Sequence, residues 1–119
     1  MPVLTEYNRL QGKSDPGTTD VSVTFEWDED KAKLNLKKHR VSFDEGSTVL
    51  TDPFSITIPD PDHSVDEPRH IDIGMSATGR ILVVVYVERR DTVRIISCRK
   101  ATPVERRQYE EGCAQDNQR

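Results

Sequence analysis

The sequence predicts one α+β domain: helices packed on one side of a curved, antiparallel twisted sheet, two before it and one after. Three observations point there. Arg80 to Glu88 and Thr92 to Lys100 are β-branched runs around the polar break Arg89-Arg90-Asp91, a hairpin pattern. Helix-capping signals stand both upstream and downstream of that hairpin. A chain of 119 residues has room for one modest core.

Residues 1–20, with breakers through Gln11 to Thr19, read as a flexible leader. The domain proper occupies 21–112, and 113–119 is a polar tail. Val21, Val23, Phe25 and Trp27 alternate with polar residues as a short strand. Asp28 then caps a helix reaching about His39, with Ala32, Leu36 and Leu34 as its apolar residues and four lysines on its surface. Ser42 and Glu45 form the capping-box pattern of a second helix that stops before Pro53. Phe54, Ile56 and Ile58 alternate as a strand. Arg69 to Ala77 is another, with Ile71, Ile73 and Met75 inward and His70, Asp72 and Ser76 outward. The hairpin follows. Thr102-Pro103-Val104-Glu105 then opens a last helix, expected to end at Glu111 with Gly112 as its stop.

Hydrophobic residues make up 34% and charged residues 32%, polar for a globular chain but not disordered throughout. The longest apolar run, Ile81 to Val87, is far short of the roughly 20 residues a bilayer crossing needs. Two cysteines outside any metal-ligand spacing read as reduced thiols of a cytoplasmic protein. Asp60, Asp62 and His63 fall among prolines that spoil a compact cation cage, so no metal or cofactor is expected. The net charge of −4 conceals segregation: residues 41–68 hold seven acids and no Lys or Arg, whereas 69–109 hold nine bases against four acids. Local cationic clusters of this kind can bind polyanions whatever the overall sign.

Several phrases resemble the BrnT family: Phe25 to Gly46 (FEWDEDKAKLNLKKHRVSFDEG), Asp52-Pro53, Arg69 before Ile71 to Ser76 (IDIGMS), Gly79 to Tyr86 (GRILVVVY) and Arg94 to Ala101 (RIISCRKA). The resemblance implies a RelE-like fold and a metal-independent ribonuclease, the toxin half of a type II toxin–antitoxin pair that inhibits translation. It also implies a BrnA-like antitoxin with a ribbon-helix-helix domain, and operator DNA contacted only through that partner. The family often has glycine after its histidine, where this chain has Arg40.

Metal-free RNA cleavage needs a base for the 2′-hydroxyl, cations for the phosphorane charge and an acid for the 5′-oxygen. The expected catalytic set is His39, Arg80, Arg94 and Glu88, with Arg80 and Arg94 on the scissile phosphate and His39 or Glu88 moving protons. Lys31, Lys38, Arg69, Arg99 and Lys100 are expected along the RNA, with Tyr86 stacking on a base. Arg69, Arg80 and Arg94 should therefore share one pocket. Each assignment has a plainer competitor: His39 as a helix cap, Glu88 paired with Arg94, Arg99 and Lys100 on antitoxin carboxylates, Trp27 in the core. A catalytically inactive relative that only binds antitoxin in an autoregulatory complex is the alternative function.

Overall fold

The structure, a computed structural model, describes residues 4–6, 22–60 and 67–117. In chain order these form β1 (Leu4–Glu6), β2 (Ser22–Glu26), α1 (Glu29–His39), α2 (Phe43–Val49), β3 (Ile56–Pro59), β4 (Arg69–Met75), β5 (Ile81–Arg89), β6 (Thr92–Lys100) and α3 (Pro103–Asn117). The six described strands make one sheet in the order β1-β2-β6-β5-β4-β3. It is mixed, not antiparallel throughout as expected, because β2 pairs parallel with β6. No hairpin dictates the direction of β2: two helices and three strands intervene, and such a crossover permits a parallel pair. Strand β1, inside the stretch read as a leader, pairs antiparallel with β2. The rest of that leader and the Asp62–His63 loop lie outside the described residues.

The helices do not share one side. Alternate residues of β5 feed two separate apolar clusters, because successive side chains point to opposite faces. Leu82, Val84 and Tyr86 join Phe25, Val41, Phe43, Val49, Leu50, Val93, Ile95 and Cys98 under α1 and α2. Val83 joins Ile73 and Tyr109, with Ile71, Ile81 and Cys113 beside them, under α3. A register shift opposite Val85 and Tyr86 lets Ile95 and Cys98 share a face. Coverage from both sides also explains Asp72, expected outward yet fully buried: it accepts hydrogen bonds from Thr57 Oγ1 at 2.7 Å and Tyr86 Oη at 2.9 Å. Ser76, likewise expected outward, is 5% exposed and donates to Glu45.

Helix α1 inverts its expected polarity. Asn35 is its buried residue, while Leu34 and Leu36 are 67% and 49% exposed. The cause is the edge of β6: β2 pairs with it only as far as Arg94, leaving Cys98's outer backbone groups to be satisfied. The Asn35 carboxamide donates to Cys98 O at 2.8 Å, accepts from Cys98 N at 3.2 Å, and also donates to Val41 O. It stands in for a neighbouring strand. At the far end of the chain, Thr102 and Glu105 form the reciprocal capping box that the sequence announces. Helix α3 nevertheless runs through Gly112 to Asn117, since Gly112 faces Ile56 without crowding and Cys113 packs on the second cluster.

Candidate functional site

Arg69 of β4 and Arg94 of β6 both stand in register with Val87 of β5, so the three occupy neighbouring strands on the α3 face. Strand spacing puts the two arginine Cα atoms roughly 10 Å apart, a distance two guanidinium groups can close around one phosphodiester. Val87 between them is buried, 3% exposed, yet belongs to neither apolar cluster, so side chains other than those of the α3 cluster lie over it. Arg94 donates to Glu26 of β2 at 3.1 Å, and Arg89 lies 3.5 Å from the same carboxylate. Arg89 also forms a two-pronged pair with Glu67 at 2.6 and 2.8 Å. That hydrogen bonding holds the Glu67 carboxyl below its ordinary range, with Arg94 and Arg69 adding smaller attractions. Three arginines and two glutamates from four segments of the chain thus meet at one end of the sheet. Such a group can neutralise a phosphate while keeping a carboxylate beside it to accept a proton.

Sequence reasoning missed Glu26, Glu67 and Arg89. Alternation put Glu26 on the polar side of β2, but only the parallel register sets it beside Arg94. Glu67 precedes β4 in a stretch with no periodicity to place it.

The other expected residues fall elsewhere. Arg80 does not share a pocket with Arg69 and Arg94: it sits at the opposite end of β5, about 20 Å away at 3.3 Å per residue. There its guanidinium clasps Glu45 of α2, donating from Nε at 2.9 Å and from Nη2 as well, and its Nη2 also reaches Arg40 O at 3.2 Å. Ser76 and Thr78 donate to the same Glu45 carboxylate. The Arg80 hydrogen bond, helped by these hydroxyls, lowers the Glu45 pKa to about 2. This is a clamp between α2 and the β4–β5 turn. Tyr86 cannot stack on an RNA base, for its ring is fully buried against His70 and its hydroxyl is held by Asp72. Glu88 lies on the α1/α2 face, its carboxylate 3.9 Å from His70 Nδ1, and does not pair with Arg94. His39 ends α1, half-buried, with no side-chain hydrogen bond or ion pair among the described residues. Arg99 is engaged by Glu105 of α3 at 2.8 and 2.9 Å. Lys31 and Lys38 are exposed on α1, and Lys100 is exposed where β6 ends. Trp27 packs edge-on against Phe43 at 5.9 Å, which is a core role.

Both cysteines are free thiols, and burial pushes the Cys98 thiol far above its usual pKa, so it is inert. Among the described residues no three His, Cys, Asp or Glu side chains are grouped to hold a metal ion, and no helix is long and apolar enough to cross a membrane.

No curated protein matches this chain. The crystal structure of the Brucella abortus ribonuclease toxin BrnT superposes with a TM-score of 0.51 at 24% identity, covering 64% of this chain and 92% of that one. At that identity the likeness speaks to the fold. A profile described as the ribonuclease toxin BrnT of type II toxin–antitoxin systems matches residues 27–105, about two thirds of the sequence. The chain therefore belongs to the BrnT family of ribonuclease toxins, and as such is one half of a toxin–antitoxin pair.

Proposed function

We propose that this chain is a metal-independent endoribonuclease with a RelE-like fold, acting in the cytoplasm to halt translation until a BrnA-like ribbon-helix-helix antitoxin silences it. The observation that carries the reading is the placement of Arg69 and Arg94 on either side of Val87, with the Glu26 carboxylate hydrogen-bonded to Arg94. The site is smaller than the expected one, since Arg80 takes no part. RNA lies across this end of the face with its scissile phosphate between the two guanidinium groups, which stay ionised and match phosphate oxygens in pairs. Glu26, held by Arg94, accepts the 2′-hydroxyl proton. The 2′-oxygen bonds to phosphorus, the bond to the 5′-oxygen breaks, and that oxygen takes a proton from water. The products are a 2′,3′-cyclic phosphate and a 5′-hydroxyl. Arg94 stabilises the phosphorane charge while the 2′-oxygen bonds to phosphorus, before the bond to the 5′-oxygen breaks. Lys31 and Lys38 belong to α1, which packs on the other face of the sheet, and take no part in this site.

The test is incubation of the purified chain with RNA in excess chelator. Cleavage to 2′,3′-cyclic ends is expected, and Glu26→Gln is expected to slow it about 100-fold by removing the base. An intact substrate under these conditions would leave an antitoxin-binding, catalytically silent family member.

A further inference from the structure

Between α3 and the β4–β5 end of the sheet lies a cleft of about 420 Å³, remote from the Arg69–Arg94 site. Met75 and Ile81 give it an apolar lining, and Met75 is 43% exposed there. Arg80, Lys100 and Arg106 bring positive charge, with Glu110 as the acid. Arg80 is committed to Glu45, whereas the side chains of Lys100 and Arg106 have no hydrogen-bond or ion-pair partner among the described residues. The cleft thus offers two uncommitted cations around an exposed thioether, a combination in search of carboxylates and an apolar side chain together. A nucleic-acid strand answers this poorly, because its charged backbone leaves the exposed Met75 without an apolar partner. A protein segment can supply both carboxylates for the cations and an apolar side chain for Met75.

We propose that this cleft is the anchoring point for the antitoxin, which inserts an apolar side chain flanked by acidic residues. The proposal rests on the toxin reading above and adds where the partner holds on. It also sets a length. A segment seated here must run about 20 Å along the α3 face to reach Arg69 and Arg94, which takes roughly six extended residues. One partner can therefore anchor at one end and cover the reactive arginines at the other.

The experiment is calorimetric titration of the purified full chain with its cognate antitoxin, alongside RNA cleavage by the free chain. The double variant Met75→Glu/Arg106→Glu is expected to bind antitoxin about 30-fold or more weakly while cleaving RNA at the wild-type rate. Should that variant lose its fold, Arg106→Gln on the exposed helix surface decides, with an expected weakening of about fivefold. Unchanged antitoxin affinity in a folded variant would overturn the proposal. Slower RNA cleavage with unchanged antitoxin affinity would also overturn it and assign the cleft to RNA. The toxin reading fails separately: a wild-type chain that cleaves no RNA, yet whose antitoxin binding still collapses on Met75→Glu/Arg106→Glu, keeps the docking site and loses the nuclease.

Discussion

At the scale of single residues, Asn35 shows how a polar side chain can be the right choice for the inner face of a helix. Its three hydrogen bonds close the exposed edge of β6, and Asn35→Ala would strand the Cys98 N–H and C=O in a buried place. We expect that substitution to cost about 3 kcal/mol in denaturant unfolding. Asn35→Leu, which restores the apolar stripe a sequence reader would prefer, should be no better. Arg40 is the C-cap of α1 at φ 61°, a left-handed conformation that favours glycine. The glycine that the family resemblance leads one to expect here would suit this backbone, and arginine adopts it at a cost. Arg40→Gly should stabilise the fold by about 0.5–1 kcal/mol, because the only described role of Arg40 with Arg80 uses its carbonyl. Glu45 and Glu105 both have native pKa values near 2, below the ordinary 4.5. Depressed native values mean these carboxylates contribute stability above about pH 4.5 and lose it as pH falls toward 2. Unfolding free energy should therefore rise with pH across that window, and Glu45→Gln should flatten the rise.

At the scale of elements, α2 approaches β6 so closely that a Cβ at Gly46 would fall 2.2 Å from Cys98 Sγ. Gly46→Ala should destabilise by about 2 kcal/mol, and Cys98→Ala should recover part of the loss in the double variant. Caps and periodicities made most elements legible: Asp28, Ser42 and Thr102 accept the hydrogen bonds their positions imply. What escaped was pairing between distant segments. Gly112 looked like a stop because local chemistry says so, but Cys113 has a cluster to join and the helix continues. Asp72 looked exposed because alternation assumes one wet face, and both faces of β4 are covered. The parallel β2–β6 pair has no local signature at all.

At the scale of the whole molecule, charge was legible in kind but not in place. The basic C-terminal half does supply the cations, yet Arg80, Arg99 and Arg94 serve three different ends: a clamp on α2, a tie to α3, and the Glu26 group beside Val87. Only register separates them, and register is set by contacts far apart in sequence. Arg80→Ala should accordingly lower stability by about 2 kcal/mol by leaving Glu45 without its partner, with little effect on the chemical step. Arg94 is the opposite case, since its guanidinium lies one-third exposed beside Glu26 and Arg69 shares its face. The most direct measurement is the single-turnover rate of RNA cleavage in excess chelator for wild type and Arg94→Ala, with folding checked by circular dichroism. Cleavage by the wild type and a fall of about 100-fold in a folded Arg94→Ala are expected. Equal rates for the two proteins would place the chemistry somewhere other than this end of the sheet.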